Sequence, residues 1–163
     1  MLEFSTLRPD QIAEARRVIY TVAHKHFNEQ DPLEETIVRY QTTWPLRDLD
    51  NFQQEYIENG GTFLVLCEDG RIIGTGALRR LDDTTGEIKR VWLLPEHHGQ
   101  GLGYQIMTHL LDAACEKGYT RVRLETSPAY QQRAFAFYRK LGFYEIPRYG
   151  DDPDDVGMEM LLE

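Results

Sequence analysis

The sequence predicts a mixed α/β (α+β) domain built on one central, mostly antiparallel, twisted sheet of about six to seven strands, flanked by about four helices. Three observations carry this expectation. Strand-like alternation and helical periodicity interleave in the order β, α, α, three strands, α, β, α, β, β, which fits neither an all-β nor an all-parallel architecture. The runs TFLVLCED and RIIGTGALRRL are separated by a turn at Glu68-Asp69-Gly70 that is too tight for a crossover, so these strands are antiparallel neighbours. A chain of 163 residues, 41% of them hydrophobic, fits one domain with a full hydrophobic core and leaves no room for a second of ordinary size, so residues 1–163 are read as a single domain.

Leu2 to Leu7 alternate as a strand, and Arg8-Pro9-Asp10 marks a helix start, with Pro tolerated in the first turn and Asp at the positive end of the dipole. Ile12, Ala15, Val18, Ile19 and Val22 follow at helical spacing. From Asp31 to Asn59 the chain is polar and broken at Pro32 and Pro45; Tyr40, Trp44, Phe52 and Tyr56 fit two short helices. After the hairpin, GEIKRVWLL (Gly86 to Leu94) is a strand ending at Pro95. The loop PEHHGQGLG leads to a helix from Leu102 to Lys117, with Leu102, Ile106, Leu110 and Ala114 on one stripe and Gly118 closing it. TRVRLET is a further strand. Pro128 then opens a helix to Leu141, with Tyr130, Ala134, Phe137, Tyr138 and Leu141 on its apolar side and Gly142 at its end. FYEIP and VGMEMLLE, around the acidic turn GDDPDD, are the last two strands.

Lys plus Arg number 18 against 27 Asp plus Glu, and the formal charge of −9 disfavours nucleic acid or an anionic membrane as partner and suits a small cationic substrate. No apolar run approaches the length of a membrane span, and MLEFSTLRPDQ has neither a basic nor an apolar leader region, so a cytoplasmic location is expected. Cys67 and Cys115 sit in the apolar stretches FLVLC and LLDAAC without metal-ligand spacing; reduced core thiols and no metal are expected.

The feature richest in chemistry is His98-Gly99-Gln100-Gly101-Leu102-Gly103, between a strand and the first turn of a helix, where free N–H groups and the helix dipole converge on an anion. Glycines let the main chain approach phosphate oxygens. A turn that merely starts a helix is the plain alternative. A Walker loop needs Gly-Lys-Ser/Thr, absent here, and a dinucleotide fingerprint needs a third glycine where Tyr104 stands.

Val91-Trp92-Leu93-Leu94-Pro95, then His98 to Gly103, then Gln131, Ala134, Phe137-Tyr138 and Leu141-Gly142-Phe143 resemble the GNAT N-acetyltransferase superfamily. The first cluster resembles its acetyl-CoA pyrophosphate loop, Gln/Arg-x-x-Gly-x-Gly/Ala. The second resembles its Asn-x-x-Ala-x-x-Leu-Tyr-x-x-x-Gly-Phe helix. His98 replaces the usual Gln or Arg, which would make cofactor affinity pH-dependent, and Gln131 replaces Asn with the same amide chemistry.

The resemblance implies that acetyl-CoA is the co-substrate and lies in a V-shaped opening between GEIKRVWLL and TRVRLET. Its pyrophosphate would rest on N–H groups from Gly99 to Tyr104, and its pantetheine along the backbone of Val91, Trp92 and Leu93, where an N–H would polarise the thioester carbonyl. Gln131 and Ala134 would complete the cofactor site. Direct transfer to a primary amine needs an uncharged nitrogen, hence a base. Glu87, eleven residues before His98, matches the glutamate base of the histone-acetyltransferase branch, with Glu125 as second candidate. Tyr138 matches the family tyrosine that protonates the departing thiolate. Arg133, Arg139 and Lys140 on the same helix meet either the CoA 3′-phosphate or solvent.

For the acceptor, an amine borne by a small molecule or peptide, Tyr20, His24, His26 and Trp44 are candidates for an aromatic wall, and Asp151, Asp152, Asp154 and Asp155 for a cation-attracting edge. The alternative to an enzyme is a non-catalytic, CoA-binding regulatory module on the same fold. Proteins that resemble this one commonly pair through sheet edges, which implies a homodimer.

Overall fold

The computed structural model describes residues 1–128 and 131–163, and its elements follow the order that the periodicity predicts. They are β1 (Leu2–Thr6), α1 (Ile12–His26), α2 (Leu33–Thr43), α3 (Arg47–Asp50), β2 (Thr62–Glu68), β3 (Arg71–Arg80), β4 (Thr85–Leu93), α4 (Leu102–Glu116), β5 (Arg121–Thr126), α5 (Gln132–Leu141), β6 (Tyr144–Ile146) and β7 (Val156–Leu161). Among the described residues four helices have ten or more residues; α3 has a single turn, and a π-helical turn follows at Gln53–Ile57. The last helix begins at Gln132 rather than directly after Pro128, and Tyr130, expected on its apolar side, lies outside the described residues.

One seven-stranded sheet runs β1-β2-β3-β4-β5-β7-β6, antiparallel at every step except β4 to β5. The β2–β3 turn is Asp69-Gly70, both with positive φ (50° and 84°), the twist that suits a two-residue hairpin. Alternation divides the side chains between two cores. Phe63, Val65 and Ala77 join α1, α2 and α3 on one face. Leu78, Ile88, Val122 and Leu124 join the apolar stripe of α4 and Tyr138 of α5 on the other. Cys67 is buried as expected, but Cys115 is exposed: Leu110 and Ala114 turn inward and Cys115 falls beside that stripe.

The feature that makes a site is where β4 and β5 part. They pair only at Thr85↔Arg121, Gly86↔Val122 and Glu87↔Arg123; β5 continues against β7 as far as Thr126↔Val156, and β4 continues against β3. The β3–β4 register slips between Thr75 and Ala77, opposite Arg90, which has φ of 57°. Such a bulge bends its strand. A positive φ is costly for a residue with a long side chain, and here three contacts hold it. Thr75 Oγ1 donates to the Arg90 carbonyl at 2.7 Å, the guanidinium grips both oxygens of Asp48 at 2.9 Å each, and it stacks 5.7 Å above the Trp44 ring. Asp48 in turn accepts a 2.5 Å hydrogen bond from Tyr56.

Candidate active site

The parting of the strands opens a cavity on each side. The first, about 380 Å³, runs along the end of β4 and over the glycine loop to α5. Every residue that the resemblance assigns to the cofactor lines it except Gln100, which is exposed in the loop: Val91, Trp92, Leu93, His98, Gly99, Gly101, Leu102, Gly103, Tyr104, Gln131 and Ala134. From Ile88 onward the β5-facing edge of β4 has no strand partner among the described residues, so its peptide groups are available to an extended ligand. Gly99 and Gly101 have φ of 81° and 77°, and a Cβ on either would touch nothing within 4 Å. Their requirement is therefore backbone conformation, not space. Gly101 immediately precedes α4, whose free N–H groups end at this cavity. His98 turns Nε2–H to the Leu93 carbonyl at 3.0 Å and so ties the loop to the strand end. Arg133 lines the cavity, whereas Arg139 stacks 5.4 Å from Phe135 and Lys140 is exposed.

The second cavity, about 520 Å³, has an aromatic wall from α1 and α2, β4 as its base, and carboxylates on the β5–β7 side. Phe27, Tyr40 and Trp44 form the wall. Of the residues expected there, Trp44 alone is in place. Tyr20 is core, 1% exposed, with its hydroxyl on the Trp44 carbonyl at 2.7 Å, and His24 bonds the Asp31 carbonyl at 2.8 Å. His26 lines the first cavity instead, edge-on to Trp92; its Nε2 is buried with no partner among the described residues, and burial, then the nearby His98, hold the ring in its neutral form. Asp152, Asp154 and Asp155 line the second cavity, and Asp151 does not.

Four residues belong to both cavities: Val91, Trp92, Gln131 and Tyr138. Gln131 is fixed there by accepting from Thr126 Oγ1 at 2.6 Å. Tyr138 is 8% exposed, and its hydroxyl has no hydrogen-bond partner among the described residues; burial pushes its pKa up to about 12, so it keeps its proton at neutral pH. A buried phenol is ordinarily paired, so one that lines both cavities with no partner among the described residues is an available donor.

Glu87 lines the second cavity but is already engaged, accepting from Arg79 Nε at 2.8 Å and from the Tyr149 hydroxyl at 2.9 Å. Glu125 accepts the N–H groups of Tyr149 at 3.3 Å and Gly150 at 2.9 Å, which anchors the β6–β7 loop over the cavity. Sequence reasoning missed Tyr40, although it precedes Trp44 by one helical turn and so shares its face. It also missed Lys89 in the cavity base, whose ammonium pKa is lowered by burial and then by Arg79.

The model of the acetyltransferase (GNAT) family matches residues 26–143. An uncharacterized N-acetyltransferase of Bacillus subtilis, YsnE, is 36% identical over 105 residues, 62% of this chain and 70% of its own. Other curated relatives are matched over 60% and 51% of their lengths. A GNAT-family acetyltransferase structure from Staphylococcus aureus superposes with a TM-score of 0.83 at 20% identity over the whole of both chains. The Thermoplasma acidophilum PaiA N-acetyltransferase in complex with coenzyme A does so with 0.77 at 20% identity over 99% of each.

Proposed function

Because the chain belongs to the GNAT acetyltransferase family, we propose that it moves the acetyl group of acetyl-CoA directly to a primary amine, with the first cavity holding the cofactor and the second the acceptor. The observation that carries this reading is the place of Tyr138, which lines both cavities and whose hydroxyl has no hydrogen-bond partner among the described residues. The residues fit the cofactor. The glycine loop and the start of α4 offer N–H groups to a pyrophosphate, the unpaired edge of β4 offers peptide groups to a pantetheine chain, and Arg133 offers a cation to a phosphate. Bound there, acetyl-CoA supplies an activated thioester. The chain supplies the rest: a β4 N–H at Val91 or Leu93 polarises the carbonyl, and Tyr138 protonates the departing sulfur.

The amine arrives as an ammonium and must lose a proton. Glu87, Glu125 and Asp155 are carboxylates that line its cavity and are the candidates to take it. Their summed charge favours amines that carry further positive charge. The work is expected in the cytoplasm, where both cysteines stay reduced; no helix among the described residues is long and apolar enough to cross a membrane.

Acetyl-CoA consumption across amine classes (amino acids, polyamines, peptide N-termini, lysine side chains) tests the reading, and acetylation of none of them would contradict it. A second expected outcome concerns the loop. CoA should raise the melting temperature of the parent, as any ligand selective for the native state does. Gly101→Val must force a β-branched residue to φ of 77°, at a cost of about 1–3 kcal/mol, and is expected to lose that rise. A variant that binds CoA as tightly as the parent would remove the loop from the cofactor site.

A further inference from the structure

Resting on that reading, we propose that Asp155 is the general base of the acceptor site, the carboxylate that takes the proton from the amine. The placement comes from strand register. The β5–β7 ladder ends at Thr126↔Val156, so Asp155 stands one step beyond it, level with Ser127, at the open end of β5 where it has left β4. Both residues line the acceptor cavity, as does Tyr138.

Hydrogen bonding separates Asp155 from the other carboxylates there. Glu87 is held by Arg79 and Tyr149, and Glu125 by two main-chain N–H groups. Asp152 accepts from the Asp154 N–H at 2.9 Å, and both of these aspartates are exposed on the turn. Asp155 is half-buried, and its side chain makes no hydrogen bond or ion pair among the described residues. Lining the same cavity, Ser127 has a buried hydroxyl oxygen that is likewise without a partner among the described residues. Two such groups at the open end of β5 suit an incoming amine, or the water that links it to the carboxylate.

The charges around Asp155 strengthen it as a base. Burial raises its pKa most, followed by Asp152 on its own loop, Glu125 on β5, and Asp154; Arg148 alone opposes them. A carboxylate crowded in this way holds a proton more firmly than an exposed one, which moves it toward the strength useful at neutral pH.

The proton balance is closed. Converting an ammonium to an amide removes two protons from nitrogen. Asp155 takes the first, directly or through one water, and later releases it to solvent. The freed lone pair forms the C–N bond as the C–S bond breaks; the thiolate takes the Tyr138 proton, and Tyr138 recovers one from the acylated nitrogen.

The test is the pH profile of kcat/KM for the acceptor in the parent, Asp155→Asn, Asp155→Glu and Glu87→Gln, with CoA binding measured on each. Asp155→Asn keeps the side chain's shape and relieves repulsion, so folding and CoA affinity should be unchanged. It should lose about 100-fold in kcat/KM at neutral pH, along with the limb that rises with pH above the ordinary carboxylate range; Asp155→Glu should recover part of the rate, and Glu87→Gln should keep the limb. Survival of that limb in Asp155→Asn, a loss under about threefold, or its disappearance in Glu87→Gln instead would overturn the assignment. Each of these leaves the acetyltransferase reading standing. That reading fails separately, and the assignment with it, if the parent acetylates no amine.

Discussion

Tyr138→Phe is expected to lower kcat by at least about tenfold, and up to about 10⁴-fold where proton transfer to sulfur limits the rate, with CoA affinity unchanged. The substitution deletes one oxygen and keeps the ring, so the packing against Phe143, with ring centroids 5.9 Å apart, survives. The hydroxyl has no partner among the described residues, so no hydrogen bond among them is lost with it. Its removal should therefore leave stability within about 0.5 kcal/mol of the parent. A tenfold loss corresponds to about 1.4 kcal/mol of barrier, which a partial proton transfer readily supplies. Turnover and CoA binding measured on the same preparation check it. Equal losses in both would make Tyr138 a packing residue.

Asp48→Ala is expected to destabilise the fold by about 3 kcal/mol, which for a chain of this size is roughly 10 °C in melting temperature. The cost lies in what is left behind. The Arg90 guanidinium, 17% exposed, would remain on the inner side of the bulge without its counter-ion, and the Tyr56 hydroxyl would lose its acceptor. Because Arg90 carries the positive φ of the bulge, the parting of β4 from β5 should loosen as well, so kcat should fall along with stability. Burial would raise the Asp48 pKa, but hydrogen bonds and charge from Arg90, with help from Tyr56, hold it below the ordinary carboxylate value. A lowered folded-state pKa means that this contribution is fully present above the unfolded-state value of about 3.9 and is lost as pH falls through the folded-state value. Thermal melts of parent and variant should accordingly converge on acidification and stay apart at neutral pH. Melts separated equally at all pH values would assign the effect to packing alone.

Local chemistry made most of the fold legible. Alternation in TFLVLCED, the turn at Asp69-Gly70 and the stripe from Leu102 to Ala114 are short-range signals, and each corresponds to an element seen in the structure. The lining of the first cavity was legible from the resemblance, whose motifs fall on a loop and strand contiguous in sequence and on α5. That of the second cavity was not. Tyr20 and Trp44 both read as aromatic residues on helices, yet only tertiary packing decides that Tyr20 is core and Trp44 lines a cavity. The four aspartates of GDDPDD are indistinguishable in sequence; the register Thr126↔Val156 is what sets Asp155 against the cavity and leaves Asp151 outside it. Nothing near Arg90 in the chain foretells its positive φ, because the group that stabilises it, Asp48, is brought in by α3.

The central claim is that the acetyl group passes directly between two ligands held in adjoining cavities, with no acetylated protein between them. Neither cysteine, the most nucleophilic side chain at hand, lines either cavity. Initial velocities measured against acetyl-CoA at several fixed concentrations of acceptor test this most directly. The account predicts reciprocal plots that intersect, with no thiol released until the amine is present. Parallel plots, with a burst of free CoA in the absence of amine, would contradict it.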